Sequence, residues 1–152
     1  MSERILNSLR YAASALLALS LSISAQAQPL PAAKDADPDV TVAKKAALDW
    51  LALVDAGKFE ATWDEAATSF QKAQSKADWA KGLGEARPTM GKVVVRTLLN
   101  HEVRTTLPNL PPAKYITVRF TTVFDKHANG SESVTFVKDG TRGFRMMSYL
   151  LK

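Results

Sequence analysis

Ala43 to Phe70 reads AKKAALDWLALVDAGKFEATWDEAATSF, and its spacing decides the fold. Ala43, Ala47, Trp50, Leu51 and Val54 recur at the intervals of one buried helix face, while Lys44, Lys45, Asp49 and Asp55 fall largely on the other. Gly57 supplies a residue free to turn left-handed and end the helix. A second run repeats the pattern, with Phe59, Trp63, Ala67 and Phe70 as its stripe and Lys58, Glu60, Asp64 and Glu65 outside. Aromatic residues at this spacing read as core rather than as a ligand box. Everything downstream has to wrap around them.

On either side of this stretch the signals continue. Asp39 or Thr41 is expected to cap the first helix. A third helix opens at Ser75, which stands three residues before Asp78 in the manner of a capping box. Trp79, Leu83 and Ala86 form its apolar face, and Pro88 is expected to stop it. After Gly91 the period changes to two. Val93 to Thr105 is rich in β-branched residues, and the Leu98-Leu99 pair predicts a bulge that bends the strand. LPNLPP, from Leu107 to Pro112, is a loop. From Lys114 to Asp125 the alternation is clean, with Ile116, Val118, Phe120, Thr122 and Phe124 on one side. Asn129-Gly130 and Asp139-Gly140 are hairpin signals, placing strands at Glu132 to Lys138 and Phe144 to Leu151. Three helical segments followed by four antiparallel strands is the α+β class, with N-terminal helices packed on a bent four-stranded sheet.

Upstream, Arg4 and Arg10 precede an apolar run from Tyr11 to Ile23, and Ala25-Gln26-Ala27 has a small-x-small cleavage pattern. Residues 1–27 are therefore expected to be a signal peptide, with Gln28 as the mature N-terminus. The run is too short to span a bilayer, so no transmembrane segment is expected after signal removal. Residues 28–39, QPLPAAKDADPD, are rich in proline and charge, and are expected to be a disordered linker. The single domain then covers 40–152, in the periplasm or outside the cell.

Composition removes several chemistries. The chain has 152 residues and no cysteine, so disulfides, thiolate nucleophiles and cysteine metal sites are excluded. With only two histidines, a zinc site is not expected. Gly91-Lys92 lacks the preceding glycine and following Ser/Thr of a phosphate loop. Asp125, His127, Asn129 and Gly130 match the opening of a calcium loop, but Phe136 stands where a bidentate glutamate is required. No G-x-S-x-G elbow surrounds any serine. No cofactor, metal or nucleic acid is expected. The charge is asymmetric: Gln28–Ala86 holds seven Lys/Arg against ten Asp/Glu, and Arg87–Lys152 eleven against four. That excess reads either as a solvated sheet face or as a surface for an anionic partner.

The order of elements is similar to the cone-shaped, cystatin-like fold shared by nuclear transport factor 2 and the SnoaL-type cyclases. More specifically, the chain resembles a family of small exported bacterial proteins that carry only a number as a domain of unknown function. The residues that carry this are Ala47–Asp55, Gly57-Lys58-Phe59, Trp63, Phe70, Trp79, Arg87-Pro88, Gly91 and Arg96, continuing through Leu107-Pro108, Tyr115, Phe120, Phe124, Lys126, Glu132 and Tyr149. Phe144 departs from the tryptophan the family tends to place in the last hairpin. The resemblance implies fold and compartment, not an activity.

Polar residues that can project between helices and sheet are Arg87, Arg96, His101, Tyr115, Asp125 and Glu132. Glu132 shares parity with Val134 and Phe136, and Arg96 with Val94 and Leu98. Two readings follow. Glu132 and Arg96 form a buried structural pair, or the set lines a pocket in which, as the SnoaL resemblance implies, Asp125, His101 or Glu132 does acid/base work as a hydrolase or isomerase. Composition favours a non-catalytic module that binds a small molecule or an envelope protein. A homodimer through the sheet face is compatible with it.

Overall fold

A computed structural model describes residues 37–152. The expected signal peptide, 1–27, and the linker as far as residue 36 lie outside the described residues. Helix α1 spans Pro38–Asp55. Pro38 suits a first helical position, where its missing N–H would have had no partner. The cap is Asp37, whose Oδ1 accepts from the Asp39 N–H at 3.1 Å. The expected cap at Asp39 or Thr41 and the domain start at 40 are therefore corrected to the preceding Asp-Pro pair. The expected face is the buried one: Ala43, Ala47, Trp50, Leu51 and Val54, with Val40 added. At the C-terminus Gly57 adopts φ +69. Its N–H reaches the Val54 carbonyl at 3.0 Å, and the Lys58 N–H reaches Leu53 at 2.9 Å, the paired bonds of a Schellman ending.

The expected second helix is two. Helix α2 is Phe59–Asp64 and α3 is Thr68–Ala73. Between them Ala66 and Ala67 are buried and extend along strand β4 (Phe144–Leu151). The Ala67 N–H donates to the Met146 carbonyl at 2.7 Å, and the Met146 N–H to the Glu65 carbonyl at 3.3 Å. Backbone groups at a sheet edge compete with the helix for the same partners. Here they win, and Ala67 leaves the aromatic stripe. Helix α4 spans Lys76–Met90, capped by the Ser75 hydroxyl accepting from the Asp78 N–H at 3.1 Å. Pro88 does not stop it, contrary to expectation. The helix runs two residues further and ends where Gly91 takes φ +83.

Strands β1 (Val93–Arg104), β2 (Tyr115–Phe124), β3 (Gly130–Lys138) and β4 form one antiparallel sheet in chain order, which is not closed. The Leu98–Asn100 bulge is present, and further shifts lie at Val93/Val95 and Thr135/Phe136. Ile116, Val118, Phe120, Val134, Phe136 and Met146 turn inward against α1 in one core. On the opposite face Tyr115 and Val137 pack with Ala67.

Gly130 serves a purpose other than the one expected. It is not in the left-handed region. A Cβ there would stand 2.5 Å from the Phe124 ring and 2.7 Å from the Thr122 carbonyl oxygen, so glycine is needed for close approach. Gly130→Ala should cost about 1–3 kcal/mol by overpacking. Urea denaturation checks this, and an unchanged midpoint would mean that the β2–β3 turn relaxes freely.

The two sheet edges differ. The β4 edge is covered in part by residues 65–67, whereas among the described residues β1 pairs only with β2 and is exposed along most of its length.

Candidate functional site

The alternation of β3 sends Glu132 inward with Val134 and Phe136, and its side chain is 0% exposed. A carboxylate in that position costs far more than it returns unless its oxygens are filled. They are. Oε2 accepts from Arg96 Nε at 2.7 Å and from the Thr122 hydroxyl at 2.7 Å. Oε1 accepts from the Tyr149 hydroxyl at 2.7 Å and from Arg96 Nη2 at 3.2 Å. These four bonds occupy the roughly four lone-pair sites that a carboxylate has. Strand register brings the donors together: Arg96 lies beside Thr122 across β1–β2, and Tyr149 beside Val134 across β3–β4.

The network extends to the helices through Asp55, the last residue of α1. Arg96 holds it with two bonds, Nη1 to Oδ2 at 2.7 Å and Nη2 to Oδ1 at 3.0 Å. Arg87 of α4 adds Nη2 to Oδ1 at 3.0 Å. Arg87 also donates to the Gly91 carbonyl at 2.6 Å and lies 4.6 Å from the Phe124 ring centroid, a cation–π contact. Its Nε is buried without a partner. Two carboxylates and two guanidinia thus neutralise one another where α1, α4 and the sheet meet. Burial opposes ionisation of Asp55, but Arg96 and Arg87 outweigh it and hold the carboxyl below its ordinary value. Asp55 therefore contributes stability that is present above the ordinary carboxylate range and lost as pH falls through its depressed value.

Tyr149 carries the opposite sign. Burial, then the charge and hydrogen bond of Glu132, push its hydroxyl well above the ordinary value. Its contribution is intact below about pH 10 and is lost as pH rises further, because only the unfolded chain then sheds the proton easily. Stability should fall above about pH 10, more steeply in wild type than in Tyr149→Phe. Urea titrations at pH 8–11 check this, and parallel curves would remove Tyr149 from the explanation.

Of the six residues marked in the sequence, the structure gathers Arg87, Arg96 and Glu132. His101 is exposed on β1. Tyr115 is buried on the far side of the sheet, donating to the Pro111 carbonyl at 2.6 Å. Asp125 stands in the exposed turn after β2, accepting from the Lys92 N–H at 2.8 Å. Asp55, Thr122 and Tyr149 complete the network without having been marked. Periodicity puts Asp55 on the solvent face; Asp55 and Tyr149 are both among the residues carrying the family resemblance, and Thr122 follows the inward side of β2 by alternation.

Next to this network lies an open cleft of about 600 Å³, bordered by Asp55, Arg87, Lys92, Asp125 and Lys126 over an apolar floor that includes Val54 and Phe59. Among the described residues, no three His, Asp or Glu side chains converge to hold a metal, and no helix is long and apolar enough to cross a membrane. The basic half of the chain meets partners within the molecule. Arg96 takes Asp55, Lys114 takes Asp37 and Asp39 at 2.6 and 2.7 Å, and Arg145 takes Glu65.

A family model described as "Protein of unknown function (DUF4019)" matches residues 46–149. No curated protein and no solved structure matches the chain.

Proposed function

Since the chain belongs to the family described as Protein of unknown function (DUF4019), which brings no activity with it, we propose from the site itself that this is a non-catalytic binding module exported to a bacterial cell envelope. The observation that carries the non-catalytic reading is the closure of Glu132. Its lone pairs are all taken and its side chain is unexposed, so no reactant reaches it without breaking the core. Trp50 and Phe120, each 2% exposed, pack into the core between helices and sheet, which supports the non-catalytic reading. Kinship to the cone fold of nuclear transport factor 2 and export belong to the same proposal, supported by the element order and by the features of residues 1–27.

Exposed apolar residues support a binding surface on β1. Val94, Val95, Leu98, Leu99 and Val103 all lie on β1. The outer face of β2 and β3 instead carries Thr117, Arg119, Thr121, Ser131 and Ser133, which gives a dimer through the sheet face little apolar area to bury.

A second reading rests on the 600 Å³ cleft, whose volume suits a small ligand. Lys92 and Lys126 at its border, over apolar side chains, fit a small amphipathic anion. A hydrolase or isomerase there would need an acid or base; Asp55 is engaged by two arginines, which leaves Asp125, whose Oδ1 accepts from the Lys92 N–H.

The test has two parts. N-terminal sequencing of the protein from the envelope fraction should begin at Gln28; a full-length chain in the cytoplasm would defeat export. Titration with a fluorescent anilinonaphthalene sulfonate should be unaffected by Lys92→Glu with Lys126→Glu. A large loss of binding in that double variant would move the function to the cleft.

A further inference from the structure

We infer that β1 is the interface for a second copy of this chain, two β1 strands pairing edge to edge and antiparallel to continue one sheet across both molecules. The inference rests on the binding-module reading and names its partner.

Three features of β1 lead there. It is an edge strand of 12 residues, about 40 Å long at 3.3 Å per residue, with no proline or lysine. Long edges are normally blunted by such residues, by shortness or by a covering segment, because their free N–H and C=O groups recruit other strands. The opposite edge has that cover in residues 65–67, which bond the N–H and C=O of Met146; among the described residues β1 has no such covering segment, and its protection is limited to two bulges and the inward-pointing Arg96.

The exposed apolar side chains also lie on both faces of the strand. Leu98 and Val103 pair with Phe120 and Ile116, which places them on the helix-facing side. Val95 pairs with Val123 on the other, while Val94 and Leu99 stand at the two bulges, 65% and 58% exposed. A helix or a lipid surface would cover one face and leave the other wet. A strand added to the edge covers both, because its own side chains alternate between faces. On the helix-facing side a groove of about 250 Å³ between Leu48 of α1 and Leu98 leaves room for those side chains.

Charge and symmetry point to the chain itself. The strand is uncharged over Val93–Val95 and carries Glu102 and Arg104 at its other end. Antiparallel self-pairing centred on Leu99 lays Arg104 against Val94 and Glu102 against Arg96, so no like charges oppose each other. The twofold axis makes the contact isologous and closed, and each copy consumes the other's free edge.

The chain has no cysteine, which makes the test clean. The purified protein should sediment as a dimer at micromolar concentration, and Leu99→Lys, at an exposed position, should sediment as a monomer with an unchanged circular dichroism spectrum and a melting temperature that no longer depends on protein concentration. Leu99→Cys should cross-link to itself under mild oxidation, and Thr89→Cys on α4 should not. A wild-type monomer at all concentrations, or a dimer unaffected by Leu99→Lys, overturns the inference. If the monomer instead carries a different protein that Leu99→Lys releases, the second copy is wrong and the binding module stands. A monomer whose β1 amides exchange freely in the presence of envelope extract overturns both.

Discussion

Arg96→Met should destabilise the domain by about 3–5 kcal/mol, because it strands Glu132 in the core. Glu132 would keep the Thr122 and Tyr149 hydroxyls but lose both guanidinium bonds and, among the described residues, the only opposite charge that touches it. Asp55 would lose two of its three bonds and lean on Arg87 alone. Glu132→Gln retains the shape and offers one oxygen to a hydroxyl donor, so its cost should be smaller. Combining the two should cost less than the sum of the single changes, since the second removes a charge the first has already orphaned. Urea denaturation of the four proteins at neutral pH gives the coupling directly. If Glu132→Gln left stability unchanged or raised it, the carboxylate would not belong to a structural pair. A polar group kept at the fold's expense marks a site, and the acid/base reading would then replace the one proposed here.

The second large effect is expected at Trp50. Trp50→Ala should cost about 3–5 kcal/mol, a large part of a domain stability of about 5–15 kcal/mol. The indole is 2% exposed in the main core, and its Nε1 donates to the Thr62 carbonyl at 3.0 Å, tying α1 to α2. Its ring lies 5.0 Å from that of Tyr149 and 6.4 Å from that of Trp79. Truncation therefore opens a cavity at the meeting point of helices and sheet. It also loosens the ring whose hydroxyl serves Glu132. Thermal melts check the prediction: a midpoint within a few degrees of wild type would mean that α4 and β4 collapse into the space.

Much of the fold was legible because its signals are local. The buried face of α1 follows from the spacing of Ala43, Ala47, Trp50, Leu51 and Val54. The inward side of β2 follows from alternation at Ile116 to Phe124, and the Leu98-Leu99 bulge from two bulky residues that cannot share one face. Parity alone also turned Glu132 and Arg96 inward. In each case neighbouring residues set the geometry, and neighbours are adjacent in the chain.

Tertiary structure decided the rest. Ala66-Ala67 left the helical stripe because the edge of β4, some 80 residues on, offered its backbone better hydrogen bonds. Gly130 is glycine because the Phe124 ring occupies the place of a Cβ. Asp55 lies on the polar side of α1 by periodicity, yet the last turn of that helix meets Arg87 of α4 and Arg96 of β1. Thr122 and Tyr149 reach Glu132 only through a strand register set across the whole sheet. The sequence by itself determined which side chains of α1 and β2 leave water, since burial there follows local period. Which buried polar groups satisfy one another depended on long-range packing, because a hydrogen bond requires two partners within about 3 Å and a one-dimensional pattern carries no such distance.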